Sequence, residues 1–254
     1  MSLWYLQEPD ILNTNDLNLS IDIGNSSSKV AVFSRNKMVY YRRFQRLAIN
    51  SLDKIIEEYQ ITKTIISSTR NLDKNWIQRL KKKTYLVLLN HTTKVTFINL
   101  YQTPQTLGRD RIAGIAGALK IYPSQNVLIA DLGTCNTYDF IDSKKRYYGG
   151  NIAPGLQMRL IAMHNYTDKL PLVKSIYNKT LMGLSTQEAM QNGAIWGIIL
   201  EIEGYIKALA KEYGTINVIL TGGDAPFFAN HFKKKIFAEP YLVLIGLNQI
   251  LKLN

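Results

Sequence analysis

Cysteine is nearly missing from this chain: Cys135 is the one such residue among 254. A disulfide framework is therefore excluded, and a reducing, cytoplasmic compartment is expected. Histidine is almost as scarce. His91, His164 and His231 stand far apart, with no cysteine or histidine at metal-ligand spacing, so no zinc site is expected. Negative charge is in deficit, with 19 Asp and Glu against 31 Lys and Arg, a formal net charge of +12. Such an excess raises the question of a polyanionic partner. No apolar run reaches the roughly 18 residues that a spanning helix needs. The most apolar stretch, Tyr241 to Leu247, reads as core, and no membrane partner is expected. Glu8, Asp10 and Asp16 interrupt the amino-terminal residues and no small-residue cleavage site follows, so a signal peptide is not expected. Three familiar signatures are missing as well: G-x-x-x-x-G-K-[ST], G-x-G-x-x-G after a strand, and G-x-S-x-G.

What is present is the composition of a globular chain, 46% hydrophobic and 20% charged. Its length suits one to two domains. Strands are expected over Leu17 to Ile23, where apolar and polar residues alternate, and over Lys29 to Ser34, Met38 to Phe44 and Thr64 to Ser67. Helical spacing marks Ser51 to Tyr59, Asn75 to Lys83 and Asp110 to Tyr122, the last rich in small residues that permit close packing. The pattern then restarts. Strands are expected over Asn126 to Asp131, Thr137 to Asp142, Arg146 to Ile152 and Val218 to Leu220. A long helix spans Thr186 to Tyr213 and a last one includes Tyr241 to Leu251. Strand, turn and strand with Asp-x-Gly at the turn thus occur twice, at Asp22-Ile23-Gly24 and at Asp131-Leu132-Gly133, about one domain length apart. This implies two similar α/β halves meeting at a cleft. The expected division is an extension at 1–17, one domain at 18–125 and a second at 126–254.

The turns carry chemistry. In Asp22-Ile23-Gly24-Asn25-Ser26-Ser27-Ser28-Lys29, glycine lets backbone approach a phosphate. Hydroxyls and main-chain N–H groups donate to that phosphate, and Lys29 adds charge. Asp22 at the strand end can hold Mg²⁺, directly or through water. A plain Asx-type hairpin turn explains the same residues. Asp131-Leu132-Gly133-Thr134-Cys135-Asn136-Thr137 repeats the idea, with Asp131 a second cation ligand and Thr134 in reach of phosphate oxygens. No histidine flanks Cys135, so it reads as a packing residue rather than a nucleophile. Thr221-Gly222-Gly223-Asp224 is a third glycine turn at a strand end. Gly108-Arg109-Asp110-Arg111 offers a carboxylate to orient an attacking hydroxyl and guanidinium groups to grip an anion. Taken alone, the motif is better explained by a helix start with a surface ion pair. The basic runs at Arg42-Arg43, Lys81 to Lys83, Lys144 to Arg146 and Lys233 to Lys235 are scattered and not interleaved with aromatics, so no nucleic-acid partner is expected.

In order along the chain, Asp22-Ile23-Gly24-Asn25, Gly108-Arg109-Asp110-Arg111, Asp131-Leu132-Gly133-Thr134, Gly149 to Leu156, Leu170-Pro171, Thr186 to Ala189 and Thr221 to Asp224 resemble the type III pantothenate kinases of the actin/sugar-kinase/Hsp70 ATPase superfamily. The resemblance implies two actin-like, ribonuclease H-like domains with ATP in the cleft between them. It implies transfer of the γ-phosphoryl group of ATP to the hydroxyl of pantothenate, giving 4′-phosphopantothenate, the first step of coenzyme A biosynthesis. Asp22, Ile23, Gly24, Asn25, Ser26, Ser27, Ser28 and Lys29 would form the first ATP loop, with Asp22 near Mg²⁺. Asp110 would be the catalytic base, with Tyr101, Gly108, Arg109, Arg111 and Thr186 also at pantothenate. Thr134 would touch ATP, and Asp131 would bind a monovalent cation, K⁺ or NH₄⁺. A homodimer is implied, with Thr186 acting across its interface. Ser26 and Ser185 replace the family's usual Thr and Asn. The competing readings are a kinase for another small hydroxyl acid, and a regulatory relative of the accessory transcription factor kind.

Overall fold

A computed structural model describes residues 17–232 and 236–254. The amino-terminal extension up to residue 16 and the basic run at 233–235 lie outside the described residues. The first half of the chain runs β1 (Leu17–Ile23), β2 (Ser28–Ser34), β3 (Lys37–Phe44), α1 (Ile49–Glu58), β4 (Lys63–Ser68), α2 (Lys74–Lys83), β5 (Tyr85–Leu88), β6 (Ile98–Asn99) and α3 (Arg109–Ile121). The second runs β7 (Val127–Leu132), β8 (Cys135–Ile141), β9 (Arg146–Pro154), α4 (Leu156–Asn165), α5 (Thr186–Tyr213), β10 (Asn217–Thr221), α6 (Ala225–Ala229), β11 (Phe237–Ala238) and α7 (Leu242–Leu251).

The duplication expected from two Asp-x-Gly turns extends to whole sheets. One sheet has the order β3-β2-β1-β4-β5, and in the other β7 to β11 take the order β11-β10-β7-β8-β9. In each, the first three strands are an antiparallel meander and the last two join in parallel. Each half therefore ends its first strand in a hairpin turn, and that turn carries the Asp-x-Gly.

The chain divides into two compact units, residues 17–121 with Tyr241–Asn254, and Tyr122–Pro240. The sequence reading placed the closing helix in the second half. Instead α7 packs in the first unit against α3, so closely that a Cβ on Gly246 would collide with the Ala113 carbonyl. The small residues of α3 make that approach possible.

The first core sits between β1, β2, α1 and α2, with Leu19, Ile21, Val30, Val32, Leu52 and Leu80 fully or almost fully buried. The alternation in β1 predicts one wet face, yet all seven of its residues are buried. Its polar face is covered as well, and Asn18 donates to Asn248 Oδ1 of α7 at 3.0 Å. Buried polar groups need such partners. In the second unit β7, α4 and α5 build the core through Leu128, Ala130, Leu160, Ile195 and Ile198. Among the described residues no helix is long and apolar enough to cross a membrane.

Candidate functional site

In the first unit the β1–β2 turn is held by Gly24 N donating to Ser27 O at 3.1 Å. It exposes Asn25 and Ser26 and leaves Asp22 nearly buried at the end of β1. Strand register sets Ser67, Asp22, Lys29 and Arg43 side by side across β4, β1, β2 and β3. Directly paired residues point to one face of a sheet. Arg43 Nε donates to Ser27 Oγ at 3.0 Å, so a second cation joins Lys29 at the turn. Thr69, just after β4, donates from N to Ile23 O at 3.0 Å and from Oγ1 to Asn25 Oδ1 at 3.3 Å, tying the turn to the next strand.

The start of α3 comes to the same end of this sheet. Arg109 donates to the Ser68 carbonyl at 2.9 Å, and Ser68 pairs with Ile23 of β1. Asp110 lies in the first turn of the helix and accepts from Arg111 N at 2.8 Å. The helix start expected of this motif is present, and the Arg109 bond brings it to the end of β4 that pairs with the end of β1. A Cβ on Gly108 would sit 2.5 Å from Asp110 Oδ1, so glycine keeps that side of the carboxylate open. Arg111 is buried, its guanidinium 5.6 Å from the centre of the Tyr101 ring. That contact brings Tyr101 beside the motif.

In the second unit the β7–β8 turn is cradled by two other glycine turns. Gly155 N donates to Thr134 O at 3.1 Å, and a Cβ on Gly155 would run into the Gly133 carbonyl. Gly222 has φ of +91°, and a Cβ there would meet Leu132 O and Asp131 Oδ1. Only glycine adopts that conformation freely. Asp224 N donates to Leu132 O at 2.9 Å, and burial holds the Asp224 carboxyl above the ordinary range. Three glycine motifs far apart in sequence therefore converge on Asp131 and Thr134. Cys135 is exposed at the turn, which overturns its reading as a packing residue: β8 begins there and its side chain lies outside the core.

Thr186 opens α5, on a different element from that turn. Its helix has a capped start. Ser185 Oγ accepts from Glu188 N at 3.2 Å, and Glu188 Oε2 accepts from Leu184 N at 2.8 Å. This is a capping box displaced by one residue on its return arm. Ser185 thus has a structural use for its hydroxyl.

Sequence reasoning missed Arg43, because only strand register reveals its place opposite Lys29. It also missed Arg159, Glu201 and Tyr138, which meet through side chains from three separate elements. Among the described residues no group of three or more His, Cys, Asp or Glu is arranged to hold a metal ion. Asp22 and Asp131 instead each offer a single carboxylate at a strand end. That suits a cation whose other ligands come from phosphate and water.

A family model for type III pantothenate kinase matches residues 18–208. A Bacteroides fragilis protein named type III pantothenate kinase is 43% identical over 94% of this chain and 98% of its own length. Among solved structures, a Campylobacter jejuni protein described as a "Baf family transcriptional activator" superposes with a TM-score of 0.59 at 24% identity, covering 93% of this chain and 98% of that one. A Cytophaga hutchinsonii protein described as a sugar kinase superposes with a TM-score of 0.51 at 12% identity, covering 93% and 99%. These likenesses fix the fold as that of the actin-like ATPases and sugar kinases.

Proposed function

The chain belongs to the type III pantothenate kinase family, and from that membership we propose that it transfers the γ-phosphoryl group of ATP to the hydroxyl of pantothenate, giving 4′-phosphopantothenate. The observation that carries the reading for this chain is the Arg109 bond to Ser68, which draws the start of α3 to the Asp22 turn. A carboxylate suited to orient a hydroxyl and a turn suited to hold phosphate then share one end of one sheet.

The pantothenate hydroxyl oxygen attacks the γ-phosphorus while the bond to the bridging oxygen of ADP breaks. The hydroxyl proton passes to the Asp110 carboxylate. Arg109, Arg111 and Tyr101 hold pantothenate, with Thr186 completing its site. Lys29, Arg43 and the N–H groups of the turn from Asn25 to Ser27 hold the phosphates. Most of the rate enhancement in such a reaction is positioning and charge neutralisation. Asp22 would hold Mg²⁺, which neutralises charge on the β- and γ-phosphates when bound. In the second unit Thr134 faces ATP, and Asp131 would hold a monovalent cation, K⁺ or NH₄⁺. The enzyme works in the cytoplasm. It acts as a homodimer, a reading supported by apolar residues exposed just before α5.

The test is release of ADP by the purified protein with and without pantothenate. Pantothenate should stimulate release, and Asp110→Asn should reduce it by about 10²- to 10⁴-fold, the usual worth of a general base. Exchange of K⁺ for Na⁺ should lower the rate. An Asp110→Asn variant with full activity would remove the assigned base. Indifference to pantothenate would remove the substrate.

A further inference from the structure

We propose that Arg159, Glu201 and Tyr138 form a positioning brace for the second turn, Asp131 to Thr134, and so set the affinity for ATP. The inference rests on the kinase reading and deepens it. Glu201, on α5, accepts from Arg159 Nη2 through both oxygens at 2.7 Å, and its Oε2 accepts from Tyr138 Oη at 2.9 Å. Arg159, on α4, also donates from Nε to the Pro154 carbonyl at 2.8 Å. Pro154 ends β9 and precedes Gly155, whose N–H holds Thr134 O. On the other arm Tyr138 Oη accepts from Asn136 Nδ2 at 3.4 Å, and Asn136 pairs with Leu132 across the hairpin.

The contacts therefore close a ring. They leave the turn through Gly155 and Pro154, pass Arg159, Glu201 and Tyr138, and return through Asn136. Helices α4 and α5 are gripped by the same carboxylate that steadies the hairpin. Tyr138 is buried to 2% exposure, and its hydroxyl is pushed up in pKa by burial and then by the Glu201 bond. Its proton stays on oxygen and is always available to donate. Glu201 stands roughly four helical turns from Thr186 on one continuous helix. The brace thus ties the nucleotide turn to the element that carries the pantothenate threonine.

The ring predicts a split between substrates that a general loss of stability would not give. Tyr138→Phe removes the hydroxyl and keeps the ring packed on Tyr205, 4.8 Å away between centroids. Loss of a hydrogen bond to a charged group should raise KM for ATP by about tenfold. KM for pantothenate should stay within about twofold, since the brace adjoins the nucleotide turn while Glu201 stands about four helical turns from Thr186. Glu201→Gln keeps one acceptor oxygen and should fall between the two. Cys135 supplies a readout that needs no catalysis, because its exposed thiol follows Thr134 directly. Maleimide labelling of Cys135 should be slowed by Mg²⁺ with a non-hydrolysable ATP analogue in the wild type. In both variants labelling should be faster and less protected. A lowered melting temperature with unchanged ATP KM and unchanged labelling would overturn the brace. If Tyr138→Phe does not fold, Glu201→Gln carries the same test at a half-exposed position. A wild type that ignores pantothenate sinks the kinase reading instead, while the labelling experiment still judges the brace.

Discussion

Lys29 and Arg43 are direct cross-strand neighbours, and like charges so placed repel. An anion beside them converts that cost into binding energy, and the Arg43 bond to Ser27 fixes the guanidinium at the turn where phosphate is expected. Arg43→Gln should therefore raise KM for ATP by about five- to tenfold with little effect on pantothenate, and should weaken the salt dependence of ATP binding. Titration of ATP at two ionic strengths checks this, and an unchanged salt slope would place Arg43 outside the phosphate site. Asp22, Lys29, Asp110 and Asp131 stand out as candidates in the sequence because each sits inside a short motif. Arg43 does not, since its partner lies across a hairpin and only the register joins them. The Arg159–Glu201–Tyr138 ring was hidden for the same reason: three elements contribute one residue each, and no local pattern marks them.

Elements with a long period were legible. The sequence reading matched α5 and β1 in their bounds, because apolar spacing and turn residues agreed over many positions. It passed over β5, β6, α6 and β11. The last three are two, five and two residues long, too short for a period to show. The α6 start nevertheless matters to the second turn. Asp224 precedes it, its backbone bonded to Leu132 and its carboxyl raised in pKa by burial. The folded state therefore binds that proton more tightly than the unfolded chain does. Stability is greatest below the ordinary value of 3.8 and falls as pH rises through the raised one. Asp224→Asn removes the charge that burial penalises and keeps the backbone bond. Its melting temperature should exceed the wild type's by about 2 °C at pH 7, with the gain fading toward pH 4. An equal gain at both pH values would assign the effect to packing rather than charge.

The whole molecule is strongly basic, yet many of its cations are answered locally. Arg79 and Lys83 meet buried Asp53, Arg146 meets Asp142, and Arg159 meets Glu201. Lys29, Arg43 and Arg109 are the set gathered at the first turn, where ATP and pantothenate would bring negative charge. The charge therefore serves two small anions better than a long polyanion. A different surface property points to self-association. Tyr166 is 89% exposed, Met182 74% and Leu184 92%, all in the second unit. Leu181, Met182 and Leu184 lie immediately before Ser185 and Thr186, the capped start of α5. Apolar side chains left in water beside Thr186 are what an interface would cover. A second copy of the chain is the partner the family resemblance implies. Leu184→Glu puts a charge into that interface and leaves the core untouched. It should turn a dimer into a monomer in sedimentation velocity, and raise KM for pantothenate while KM for ATP changes little, because Thr186 then loses its partner subunit. A wild type that sediments as a monomer at working concentration, or a Leu184→Glu dimer with unchanged kinetics, would remove the interface from this face.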